Sequence, residues 1–171
     1  MKFTVPAVQC NGQNAVFGSF LTGFASGAGV LVICGDGTGP PVYFGYIDGS
    51  EVFVPRPGDL VKTRVLQSRT ADVATLTDVT QALSDSMSLD SSPGPTVAYD
   101  GISTGFCIFH ACYASLPSNF GKIRMFDATL NGVTPRTAGA TAVNMQNPPF
   151  GIATTALNTT GNDWSEVWRN L

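Results

Sequence analysis

The stretch Val42-Tyr43-Phe44-Gly45-Tyr46-Ile47-Asp48-Gly49-Ser50-Glu51-Val52-Phe53-Val54 decides how the chain reads. Two runs of β-branched and aromatic residues flank Asp48-Gly49. A type I′ turn needs positive φ at both central positions, which Asp and Gly tolerate best, so the segment reads as a tight β-hairpin. Four more such pairs punctuate the sequence: Asn11-Gly12, Asp36-Gly37, Asp100-Gly101 and Asn131-Gly132. Together they predict a mainly β, antiparallel chain.

Working outward, Arg56-Pro57-Gly58-Asp59 turns the chain into an alternating strand from Leu60 to Gln67. Lys62 and Arg64 fall on its solvated face. Upstream, Ala15 to Cys34 carries no charge and has the length of a membrane helix. Its glycines, its hydroxyls and Asp36 in place of a flanking cation favour two buried strands instead, Ala15 to Phe24 and Gly29 to Cys34. No membrane contact is expected of residues 15–34. Lys2 to Gln9 is the first strand candidate. Pro6 has no N–H to give a ladder, which predicts an edge strand or a subunit contact and makes residues 1–12 a candidate N-terminal arm.

Two segments break the two-residue period. Between Thr70 and Leu89, the apolar residues Val73, Leu76, Leu83 and Met87 fit one helical face, predicting an internal helix. At the end, Asn162 or Asp163 can cap a short helix with Trp164, Val167, Trp168 and Leu171 on one side, which makes residues 161–171 a candidate docking tail. The expected architecture is one domain, 1–171: an antiparallel β-sandwich or jelly-roll-like barrel with one internal helix and a short C-terminal helix.

Composition narrows the function classes. Only 12% of residues are charged, against 43% hydrophobic, about half the usual charged share of roughly a quarter. The net charge of -3 and scattered basic residues (Arg56, Lys62, Arg64 and Arg69 are the nearest to a cluster) argue against direct nucleic-acid contact. Cys10, Cys34, Cys107 and Cys112 match no zinc spacing and read as buried thiols of a reducing compartment. No metal or cofactor is expected. Gly35-Asp36-Gly37-Thr38-Gly39 lacks the Lys-Ser/Thr of a phosphate loop and reads as a turn. Asn158-Thr159-Thr160 fits a glycosylation acceptor, taken as a chance match.

Cys107, His110 and Cys112 are the one constellation with nucleophilic chemistry, because a Cys-His pair can activate a thiolate. Nothing nearby supplies an orienting carboxylate, so no catalytic residue is assigned and the chain is not expected to be an enzyme. A charge-poor surface rich in Thr, Ser, Gly and Asn suits packing against other protein. The sequence reading is therefore a structural assembly protein of a virus or phage particle (capsid, cement, spike or tail), made in host cytoplasm and resident in the virion. Its partners are copies of itself and other virion proteins, met through Phe3, Val5, Trp164, Val167, Trp168 and Leu171. The alternative is a carbohydrate- or receptor-binding β module with Tyr43 or Tyr46 on its surface; a Cys-His hydrolase ranks third.

Overall fold

The computed structural model describes residues 1–10, 14–21, 27–35, 39–67, 72–89, 98–103, 105–108, 111–114, 118–147 and 150–170. In chain order the strands are β1 (Lys2–Thr4), β2 (Ala15–Leu21), β3 (Gly27–Ile33), β4 (Val42–Ile47), β5 (Ser50–Phe53), β6 (Leu60–Gln67), β7 (Asp72–Asp78) and β8 (Leu83–Leu89). They continue as β9 (Ala98–Ser103), β10 (Gly105–Ile108), β11 (Ala111–Ala114), β12 (Lys122–Phe126), β13 (Met145–Asn147), β14 (Phe150–Thr154) and β15 (Trp164–Asn170). The chain is mainly β, with no helix among the described residues.

Eight strands form one antiparallel sheet in the order β13-β14-β15-β12-β1-β6-β7-β8, and five form a second in the order β5-β4-β3-β2-β9. The two sheets pack against each other as in a β-sandwich. Phe3, Val61, Leu76 and Met125 of the larger sheet share one buried cluster with Phe17, Val30, Val32 and Ile47 of the smaller. Phe3 and Phe17 meet across the layers with ring centroids 6.2 Å apart, and Phe120 closes edge-on at 5.5 Å from Phe17. Full burial of such a side chain is worth about 1.5–3 kcal/mol, so this seam between layers is the main adhesive.

The hairpin that decided the reading is present as β4–β5, with Asp48 at φ 48° and Gly49 at φ 82°. Asn131-Gly132 also turns, at φ 53° and 79°, between the bridged Leu130 and Val133. Asp100-Gly101 does not turn: it runs through β9, paired with Ser19 and Gly18 of β2. The uncharged segment becomes the β2–β3 hairpin, where Gly18 faces Gly29. A Cβ on Gly18 would lie 2.3 Å from the Ala28 carbonyl oxygen, so the strand tolerates no side chain there. Among the described residues no helix is long and apolar enough to cross a membrane.

Both expected helices are corrected. Residues 72–89 form the β7–β8 hairpin, because Thr75 and Thr77 alternate along one strand and pair with Ser86 and Ser84 of the next. Their hydroxyls meet at 2.8 and 2.9 Å. The tail runs as β15, in a ladder between β12 and β14. Residues 2–4 of the expected arm form β1, between β12 and β6 in the larger sheet. Pro6 follows that strand, where its missing N–H costs nothing.

The thiol expectation is corrected for one pair. Cys10 and Cys34 form a disulfide with Cα atoms 5.2 Å apart, closing a separation of 24 residues. A loop of that size restricts the unfolded chain by about 3 kcal/mol on the loop-entropy account. Cys107 and Cys112 are cross-strand partners in the β10–β11 hairpin. His110 lies outside the described residues.

Candidate active site

Strand alternation along Trp164-Ser165-Glu166-Val167-Trp168 sends Trp164, Glu166 and Trp168 to one face, toward the core. Glu166 is therefore a carboxyl placed where the pattern calls for an apolar side chain, and it is 4% exposed. Its cross-strand neighbours are Ile123 on β12 and Thr154 on β14. The Trp164 Nε1–H donates to Oε1 at 2.8 Å, and Thr154 Oγ1 lies 2.8 Å from Oε2. From the other sheet, Gly101 of β9 faces it: a Cβ there would sit 3.5 Å from Oε1. The carboxyl thus lies against the space left by a missing side chain.

Burial pushes the Glu166 pKa up, with the contacts to Thr154 and Trp164 only partly opposing. Asp100, next to Gly101, is also raised by burial, against a hydrogen bond from Ser19. Ser19 Oγ in turn lies 2.6 Å from Thr63 Oγ1 of the opposite sheet. Asp100 on β9 and Glu166, which faces Gly101 of that strand, thus both have an enhanced hold on their protons. A raised carboxyl pKa suits general acid chemistry, and the buried Glu166 marks a candidate site on that ground.

A second carboxyl cluster has a structural explanation. Gln81 Nε2 donates to Asp59 Oδ2 at 2.7 Å and to Asp78 Oδ2 at 3.0 Å. Asp59 also accepts the Arg56 N–H at 2.7 Å and Asp78 accepts the Gln81 N–H at 2.9 Å, so each caps its own turn. Burial works against the charge on Asp59, yet these hydrogen bonds hold its pKa low overall.

A cleft of about 200 Å³ opens beside β15, lined by Arg124, Thr155, Ala156, Asn158, Asp163, Trp164 and Ser165. The Arg124 guanidinium pairs with Asp163 in its wall. Trp164 links this cleft to the buried carboxyl, since the same indole lines the one and donates to the other.

The residues singled out as contacts do not converge on one surface. Phe3 and Val5 are 0% and 1% exposed within the core. Trp164 is buried, Val167 and Trp168 are half-buried on opposite faces of β15, and Leu171 lies outside the described residues. Tyr43 and Tyr46 are buried, and the Tyr43 hydroxyl is used inside the protein, accepting from Val8 N–H at 3.0 Å and donating to the Pro6 carbonyl at 3.2 Å. The Asn158 Oδ1 atom accepts from the N–H groups of Gly161, Asn162 and Asp163. Among the described residues no cluster of three or more His, Cys, Asp or Glu side chains could hold a metal ion. Sequence reasoning missed Glu166. Its signal was the alternation Trp-x-Glu-x-Trp, which places the acid between two large apolar neighbours only if the segment is a strand.

A scan of family models and a search of curated protein sequences find no match. The fold does have solved counterparts. The chain is similar to SCP-B, a member of the eqolisin family of peptidases solved with the tripeptide Ala-Ile-His, at TM-score 0.67 and 17% identity over 98% of this chain and 89% of that one. It is similar to aspergilloglutamic peptidase from Aspergillus niger, at TM-score 0.64 and 17% identity over 92% and 99% of the two chains. It is also similar to scytalido-glutamic peptidase solved with a transition-state analogue inhibitor, at TM-score 0.63 and 17% identity over 98% and 90%.

These likenesses establish the fold and overturn the virion reading. The solved structures to which the chain is similar here are named as peptidases, where a virion component was expected. The low charge and the hydroxyl-rich surface that suggested particle assembly are equally compatible with this two-sheet frame. The expectation that the chain is no enzyme is corrected on the same finding.

Proposed function

We propose that the chain is a peptidase whose acid group is Glu166. The observation that carries the reading is a buried glutamic acid inside a frame shared with proteins named glutamic peptidases. Only one other glutamate exists in the chain, Glu51, and it is exposed on β5. Peptide hydrolysis needs a proton for the leaving nitrogen as the C–N bond breaks, while water supplies the hydroxyl that ends on the carbonyl carbon. A carboxyl kept neutral above the usual glutamate range can give that proton, and the carboxylate left behind can recover one from the attacking water.

The test is digestion of an unfolded polypeptide between pH 3 and 7, with cleavage sites mapped by mass spectrometry, for the wild type and Glu166→Gln. General acid–base loss is worth about 100-fold or more, so the variant is expected to lose at least that factor while keeping its circular dichroism spectrum. Absence of wild-type cleavage at every pH, or equal cleavage by the folded variant, overturns the reading.

A further inference from the structure

Cys107 and Cys112 stand directly opposite each other in the β10–β11 ladder, one rung before the last pair, Ile108 and Ala111. Only two residues, Phe109 and His110, separate that last pair in the sequence. Strands joined so tightly meet there as a hydrogen-bonded pair, because no further rung lies beyond it to bond through. Hydrogen-bonded and non-hydrogen-bonded pairs alternate along an antiparallel ladder, so Cys107 and Cys112 form a non-hydrogen-bonded pair. Such a pair brings its Cα atoms to about 4.5 Å, inside the roughly 4.4–6.8 Å that a disulfide spans.

We propose that Cys107 and Cys112 form a second disulfide, a cross-strand clamp on the β10–β11 hairpin. The chain has four cysteines, and Cys10–Cys34 takes two of them, which leaves a single pairing for the others within one chain. An oxidant that closes the first bridge is equally available to the second. Its chemical class is a small disulfide such as oxidised glutathione. One cysteine thiolate attacks a sulfur of that disulfide and expels a thiol; the other cysteine then attacks the mixed disulfide and expels the second thiol. Two cysteine S–H bonds are lost, one S–S bond forms between them, and the oxidant leaves as two thiols.

The hairpin has a use for the clamp. β10 and β11 make a two-stranded sheet of their own, hydrogen-bonded as strands to neither of the larger sheets. An isolated pair of strands is marginal in water, and a covalent bond between facing residues fixes its register. A cysteine held in a disulfide has no thiolate to offer, so the clamp also removes the nucleophile from the Cys112–His110 hydrolase reading.

The clamp does not depend on the peptidase reading. The experiment maps the cysteines of the full chain after incubation with oxidised glutathione. Trypsin releases both residues in one peptide, Thr70 to Lys122, because no Lys or Arg lies between Arg69 and Lys122. That peptide is expected to be two hydrogens lighter than its reduced form. Chymotryptic cleavage after Phe109 is expected to leave two pieces that separate only on reduction. Thiol titration in denaturant is expected to find none of the four cysteines reactive. The Cys10→Ser, Cys34→Ser double variant is expected to close the same bond with no other cysteine present, and the wild-type map decides alone if that variant does not fold. Reactive thiols at Cys107 and Cys112, a stable glutathione adduct on either, or a crosslink from either to Cys10, Cys34 or a second chain overturns the proposal.

Discussion

Trp164 donates its indole N–H to Glu166 from two residues away on the same strand, at 2.8 Å. Side chains at i and i+2 share a face only in a strand; in a helix they point about 200° apart. The buried acid and its donor are therefore a product of the β15 conformation, and the site exists because the tail is a strand.

This gives a pH dependence with a definite sign. Burial raises the folded-state pKa values of Glu166 and Asp100. The native state holds their protons more tightly than the unfolded chain, so the stability they contribute is full below the unfolded values near about 4 and is lost as pH rises through the folded ones. Asp59 has the opposite sign: its pKa is lowered despite burial, so its contribution is present above about pH 4 and is lost as pH falls. The melting temperature is expected to peak in the mildly acidic range and to decline toward neutrality, with Glu166→Gln flattening the decline. A melting temperature that climbs steadily to pH 8 contradicts this assignment.

Reduction of Cys10–Cys34 should destabilise the fold by about 3 kcal/mol through the loop it closes. Urea denaturation with and without reductant, and of the Cys10→Ser, Cys34→Ser double variant, measures it. Equal midpoints in all three would mean that the bridge adds nothing.

Ala82 holds φ at 56° in the β7–β8 turn, a left-handed conformation costly for a residue with a Cβ. Ala82→Gly is expected to raise stability by about 0.5–1 kcal/mol, because relief of that strain exceeds the added entropy of the unfolded chain. Calorimetry that shows a loss instead would place the strain elsewhere.

Gly161 has the same requirement with less room. Its φ is 79°, and a Cβ there would lie 2.6 Å from Arg136 Cβ. Arg136 also donates to the Leu157 and Asn158 carbonyls at 3.0 and 2.7 Å, so it cannot move aside without cost. Gly161→Ala should cost about 1–3 kcal/mol, read from the shift in denaturation midpoint.

The parts of the molecule legible in the sequence are those set by local chemistry. Asp48-Gly49 declares its hairpin because the positive-φ requirement is met by two adjacent residues. The helix expected over 70–89 arose because Val73, Leu76, Leu83 and Met87 satisfy a helical spacing, while the true alternation is carried by Thr75, Thr77, Ser84 and Ser86, whose hydroxyls leave no apolar period. The tail was ambiguous for a different reason: Trp164 and Trp168 are four residues apart, which fits a helix face and a strand face alike. Only the ladder with β12 and β14 separates the two. The disulfide and the meeting of Glu166 with Thr154 and Gly101 depend on pairings between distant segments, which no local pattern encodes.

General acid chemistry at this site requires Glu166 to hold its proton in the folded protein. The most direct measurement is the ¹³C carboxyl titration of the wild type, natively folded and again in urea. The Glu166 midpoint is expected well above the usual glutamate value of about 4.3 in the folded state and near it in urea. A Glu166 resonance that ionises at the same pH in both states would contradict the account.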